Sequence, residues 1–272
     1  MCSKSDKYLV ESTPVRFKKV EYFGGEHNYR DTWLAPNIEF HADDLKLVKR
    51  RYCLIAMREG ARCYTKRLEY DDGVAIYNMF HMFINNILFK GRVEIDKFEI
   101  RAPFPYYQFA SSLVKVKELL MTSHTNNWFN HIAPRINKIN LVNINLQNIL
   151  NYQQISNAKH VELDNCKVDA IFDLKATTIN FNQNNNVHEW IVRGLIEKWI
   201  NEDYPIGSSF QTHIFPSTRS RLPITLLECI HGLEGLRISS NGFYICMSYG
   251  KYMTFKLVES RIYVDITDKI SF

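Results

Sequence analysis

Glycine is scarce in this chain, 11 of 272 residues, and neither G-x-G-x-x-G nor G-x-x-x-x-G-K-[ST] occurs. A phosphate cradle needs glycines so that backbone amides can approach the anion, so nucleotide hydrolysis is not expected. The nearest approach to a nucleophile elbow, Gly207-Ser208-Ser209, lacks the flanking glycine and reads as a loop. The six cysteines, Cys2, Cys53, Cys63, Cys166, Cys229 and Cys246, include no close pair. That argues against a zinc site or a disulfide framework and for reduced, mostly buried thiols. His124, His131, His160, His188 and His213 never pair at i and i+4, as a helical metal motif would require. Adjacent carboxylates at Asp43-Asp44 and Asp71-Asp72 diverge rather than converge, and they suit turns. No catalytic residue, cofactor or metal is expected, and the chain does not read as an enzyme.

Long apolar runs are also missing. Val74 to Phe89 is interrupted by Asn78, His81, Asn85 and Asn86 and falls short of the roughly 20 apolar residues that span a bilayer. Met1 to Val10 has no apolar signal core, and position 2 is Cys rather than the Gly of a myristoylation site. An intracellular location, cytoplasm or nucleus, is expected, with no membrane partner. The net charge of +5 is spread along the chain. Its one cluster, Lys46, Lys49, Arg50 and Arg51, reads as a solvated strand or helix edge, so no nucleic-acid partner is expected.

What is present is a repeat. Five times the chain runs apolar, two of anything, apolar, one of anything, apolar: Ile95, Phe98, Ile100; Val116, Leu119, Met121; Ile136, Ile139, Leu141; Ala158, Val161, Leu163; Ala176, Ile179, Phe181. The central residues lie 21, 20, 22 and 18 positions apart, close to the roughly 20 to 29 of a leucine-rich repeat. Short parallel strands, each closed by a helix or turn, would stack into one core and leave a broad concave strand surface. Regular leucine-rich repeats put Asn or Cys five residues after the central position. Here those positions hold Pro103, His124, Ile144, Cys166 and Asn184, so the units are degenerate.

The predicted fold class is α/β: a degenerate leucine-rich-repeat-like stack of short parallel strands and helices, with antiparallel β segments at both ends. Residues 1–73 form an N-terminal β-rich segment, with strands at Val15 to Phe23, Ile38 to His41, Tyr52 to Met57 and Cys63 to Tyr70. Residues 74–215 are the repeat region, which opens with a buried helix over Val74 to Lys90. Phe104 to Val114, Trp128 to Ala133 and Leu146 to Ile155 supply returning helices or turns, and Phe210 to Phe215 a sixth strand. Asn186 and Glu189 suggest a capping box, with Val187, Trp190, Ile191, Gly194, Leu195 and Trp199 on one face of a helix over Val187 to Asn201. Residues 216–272 form a β-meander that covers the end of the stack, and the three segments make one compact body.

By strand alternation the side chains facing away from the core are Lys97, Glu99 and Arg101; Glu118, Leu120 and Thr122; Lys138, Asn140 and Val142; His160, Glu162 and Asp164; and Thr178, Asn180 and Asn182. This polar, mixed-charge set is the expected partner-binding face. Two other classes stand beside it: an enzyme whose site is assembled only by the fold, and a nucleic-acid-binding domain. The latter needs exposed aromatics among Lys and Arg, and the fifteen outward positions contain none.

The stretch Val187-His188-Glu189-Trp190-Ile191-Val192-Arg193-Gly194-Leu195-Ile196-Glu197-Lys198-Trp199-Ile200 resembles the F-box-associated domain, type 2, of the expanded nematode F-box proteins. There a helix ending in Lys-Trp-hydrophobic follows degenerate repeat strands, as Lys198-Trp199-Ile200 follows Ala158 to Asn165 and Ala176 to Phe181. Gly242-Phe243-Tyr244-Ile245 and Tyr249-Gly250-Lys251-Tyr252-Met253-Thr254-Phe255 are similar to that family's ending. The likeness covers roughly Val74 to Asp265. It implies a substrate-recognition domain of a ubiquitin ligase. Family members carry an amino-terminal F-box with a Leu-Pro start that docks the Skp1 adaptor. Met1 to Asp72 shows no such module, so the expected partner is another protein, and direct Skp1 binding is not expected.

Overall fold

The computed structural model describes residues 14–24, 37–50, 53–58, 64–69, 73–89, 91–102, 112–122, 126–182, 185, 187–213, 222–239, 242–259 and 261–270. The chain divides into two compact units, Met1–Asn137 and Lys138–Phe272. Both are mixed α/β, with sheet predominating.

In the first unit, β1 (Val15–Gly24), β2 (Asn37–Ala42), β3 (Leu45–Arg50), β4 (Cys53–Arg58) and β5 (Tyr64–Glu69) are antiparallel neighbours in chain order. A helix, α1 (Gly73–Leu88), then returns the chain. Such a crossover lets β6 (Val93–Ile100) lie parallel to β1 and β7 (Lys115–Thr122) parallel to β6. The helix buries Ile76, Tyr77, Phe80, Ile84 and Leu88 on one stripe and exposes Val74, Met82 and Phe83. Strand β3 is not among the four expected strands, because its basic cluster reads as an edge. In fact Lys49 alternates inward with Leu47 and is completely buried, its Nζ 5.9 Å from the centre of the Tyr77 ring. Asp43 forms the β2–β3 turn and accepts from the Lys18 and Lys19 amides through its carboxylate.

In the second unit, β8 (Lys138–Val142), β9 (His160–Asp164), β10 (Thr178–Phe181) and β11 (Ser209–His213) run parallel in chain order. Single 3-10 turns at Leu146–Asn148 and Ile171–Asp173, the short α2 (Gln153–Ser156) and the longer α3 (Glu189–Asn201) make the returns. A further helix, α4 (Leu222–Ile230), leads into the meander β12 (Leu236–Ser239), β13 (Gly242–Cys246), β14 (Tyr252–Val258) and β15 (Arg261–Thr267). The last of these pairs antiparallel along β11, the expected sixth strand.

All fifteen repeat positions are 3% exposed or less. They stand side by side: Ile95, Phe98 and Ile100 pair with Val116, Leu119 and Met121, and Val161 and Leu163 pair with Ile139 and Leu141 on one side and Ile179 and Phe181 on the other. Simple alternation would put Ile95 and Phe98 on opposite faces. The pairing of β6 with both β1 and β7 lapses at Asp96, and at that break the strand turns over and brings both side chains inward.

The turns after β8 and β9 use left-handed Asn143 (φ 56°) and Asn165 (φ 50°), a conformation that Asn tolerates. Cys166 donates its thiol to Leu141 O (3.2 Å) one layer below. In the next layer Asn185 does the equivalent work, with Oδ1 accepting from Cys166 N (2.8 Å) and Nδ2 donating to Leu163 O. Ile144, at the corresponding position of the earlier repeat, is a core residue. Pro103, His124 and Asn184 lie outside the described residues, as do Met1 to Val10, Asp71-Asp72, Phe104 to Ser111 and Phe215. So does Asn186 of the expected capping box, and α3 in fact starts at Glu189 with His188 at its N-cap and no side-chain cap bond. Its buried face is Ile191, Val192, Leu195, Ile196 and Trp199, whereas Trp190 is 53% exposed. Four described cysteines are free thiols: Cys53 and Cys229 buried, Cys166 half-buried, Cys246 exposed.

Candidate functional site

In each unit the parallel strands turn the polar half of their sequence away from the core. In the first, Lys97 stands opposite Glu118, Glu99 opposite Leu120, and Arg101 directly follows β6. Strand β1 adds Lys19 opposite Lys97 and Glu21 opposite Glu99. The Glu99 carboxylate, its side chain 6% exposed, is the hub. Its Oε1 takes Lys97 Nζ at 2.8 Å and Lys19 Nζ at 3.4 Å, and its Oε2 takes Arg101 Nη2 at 3.1 Å. Burial pushes the Glu99 pKa up, but the Lys97 hydrogen bond and the charges of Lys97 and Lys19 outweigh it and hold the group below the usual carboxylate range. The network continues from Lys19 to Glu21 (2.8 Å), and beyond it Glu39 binds both His41 (3.0 Å) and Lys46 (2.9 Å).

In the second unit, Lys138, His160 and Thr178 form one row across β8, β9 and β10, and Asn140, Glu162 and Asn180 the next. Glu162 is again the hub: Lys138 Nζ lies 2.7 Å and His160 Nε2 3.4 Å from Oε1, and Asn140 Nδ2 donates to Oε2 at 3.1 Å. Asn180 Nδ2 meets His160 Nε2 at 3.3 Å. Burial raises the Glu162 pKa, and the Lys138 hydrogen bond with the charges of Lys138 and His160 brings it below the ordinary value. Asn140 Oδ1 is buried and has no hydrogen-bond partner. Asp164 and Asn182 sit at the turns, where Asp164 O accepts from the Asn143 amide and the Asn182 amide donates to Leu163 O.

Twelve of the fifteen outward residues therefore fall into a Lys97, Glu99 and Arg101 cluster, a Lys138, Asn140, His160, Glu162 and Asn180 cluster, the pair Glu118 and Leu120 on β7, and the two turn residues, while Thr122, Val142 and Thr178 hold the remaining outward strand positions. Lys19, Glu21, His41 and Lys46 also belong, and sequence reasoning missed them because only the parallel pairing of β1 with β6 brings them in. The second unit's outward face also continues onto the antiparallel strands, where Gln211 stands beside Tyr263 and Tyr263 beside Lys256. Tyr244 and Tyr252 make an edge contact there at 6.2 Å. Among the described residues no group of three or more His, Cys, Asp or Glu is arranged to hold a metal ion, and no helix is long and apolar enough to cross a membrane.

Comparison with family models, curated proteins and solved structures finds no match to this chain.

Proposed function

We propose that this chain is a protein-interaction module that recognises a protein partner through the outward side chains of its parallel strands. The observation that carries the reading is the division of labour within the strands: the repeated apolar positions are consumed by the core, while the positions between them hold organised charge and amide groups. A degenerate leucine-rich-repeat-like stack accounts for this division. The likeness to the nematode F-box-associated domain, which rests on hydrophobic pattern, suggests substrate recognition in ubiquitin-dependent degradation within the cytoplasm or nucleus. The test is affinity purification of the tagged chain from its own cells beside a Glu118→Lys/Asn180→Lys variant of unchanged circular dichroism. A defined set of proteins that the variant loses supports the reading, and Skp1 or a cullin among them supports the ligase role. Equal recovery by the variant overturns it.

The tyrosines beside Lys256 favour a second reading, single-stranded nucleic-acid binding by the second unit. Oligonucleotide binding lost on Tyr263→Ala would support it, and unchanged binding would remove it.

A further inference from the structure

Resting on the interaction-module reading, we propose that the first unit binds an acidic polypeptide segment through Lys19, Lys97 and Arg101, three cations held in position by the buried Glu99 carboxylate. The anchor and the cations differ sharply in exposure. The side chain of Glu99 is 6% exposed, while those of Lys19, Lys97 and Arg101 are 45%, 47% and 56% exposed. One carboxylate thus collects three positive charges and presents them outward. By direct contact the cluster holds three cations, Lys19, Lys97 and Arg101, and two anions, Glu99 and Glu21, with Glu118 across the strand from Lys97.

Like charges directly opposite on neighbouring strands are unfavourable, yet Lys19 and Lys97 are register partners. Glu99 is in contact with both, and a further carboxylate can reach their exposed ammonium groups. The donors for it exist. Each ammonium carries three N–H groups and the guanidinium five, and the contacts to Glu99 and Glu21 occupy only part of them. Geometry that is already fixed lowers the ordering cost of binding.

The surroundings select a polypeptide over a continuous polyanion. Glu21, Glu94 and Glu118 flank the cations. A nucleic acid strand, with a phosphate about every 3.4 Å, would run against these carboxylates. Acidic side chains spaced along a peptide can meet the cations and avoid them.

The test is fluorescence anisotropy of labelled hexaglutamate with the full chain at low salt, with hexalysine and an oligothymidylate as comparators. Hexaglutamate is expected to bind, to loosen as salt rises, and to lose about tenfold in affinity in Lys19→Gln/Lys97→Gln/Arg101→Gln, since three exposed charge contacts of roughly 0.5 kcal/mol each amount to that factor. Lys117→Gln, which removes an exposed cation paired with Asp96 at 2.6 Å, leaves the affinity unchanged. Adding Glu99→Gln to the triple variant removes the carboxylate that it strands, and the same loss is expected, so misfolding does not decide the result. Absent binding, an affinity that the triple variant does not move, or tighter binding of oligothymidylate through the same cations overturns the proposal. If hexaglutamate fails while Glu118→Lys/Asn180→Lys still abolishes partner recovery, the acidic-segment inference falls and the interaction reading stands. If neither changes anything, both fall.

Discussion

Lys49 sits inside the first unit because strand β3 alternates, and alternation takes no account of charge. Burial pushes its pKa down to about 8, against roughly 10.4 in an unfolded chain. The folded protein therefore gives up this proton more readily than the unfolded one. The cost is complete below pH 8 and is relieved as pH rises toward 10.4. Lys49→Met is expected to stabilise the protein at pH 7 by on the order of 2 kcal/mol, with the advantage shrinking between pH 8 and 10.4. Urea midpoints of both proteins across that range check it, and the difference between them is the readout, because Cys229, pushed up to about 12 by burial, alters the slope of each alone. Lys198 is a second lysine with a covered stem, and its ammonium donates to Phe172 O at 2.6 Å and Leu174 O at 2.7 Å. Those two bonds tie α3 to the turn beneath it. Lys198→Met is expected to lower stability by about 2–4 kcal/mol, which thermal melting measures directly.

Asn185 shows how one element is joined to the next. It accepts from the Cys166 amide and donates to Leu163 O and Asn182 O, so a single side chain satisfies backbone groups of two turns. Asn185→Ala is expected to cost about 1–3 kcal/mol and to speed hydrogen exchange at the Cys166 amide, whereas a role confined to the chain's own turn would leave that amide protected. The apolar triplets were legible in sequence because each is a local period and the same residues that repeat are those that pack. The joining residue was not: the Asn expected from position 184 acts from 185, since the spacing before α3 differs from a regular repeat. Helix α4 escaped notice for a different reason. Nine residues with Pro223 near the start carry too few turns to show a period. Trp190 shares a three- and four-residue spacing with Val187 and Gly194, which groups it with them on one face of α3, but the core takes Val192 and Ile196 instead.

On the scale of the molecule, both units carry a shielded carboxylate hub held by basic and amide side chains, Glu99 in the first and Glu162 in the second. Neither hub was legible as such. Alternation places both side chains outward, and only the pairing of β6 with β1 and of β8 with β9 reveals which neighbours close over them. Both are held below the ordinary carboxylate range, so the folded protein keeps them ionised at a pH where the unfolded chain takes up protons. Their contribution is complete above the unfolded value near 4.3 and drains away as pH falls below it. The two hubs share no partner, so their effects are expected to add. Glu99→Gln is expected to cost about 2 kcal/mol at pH 7, because Lys19, Lys97 and Arg101 are left to repel one another. Glu162→Gln is expected to cost about 1–2 kcal/mol, because Lys138 and Asn140 lose their charged acceptor, with the double variant near the sum. The double variant should also lose less stability than the wild type between pH 5 and pH 3. Chemical denaturation of the four proteins at pH 7, 5, 4 and 3 decides the matter, and an acid slope as steep in the double variant as in the wild type would show that the two hubs are not what acid undoes.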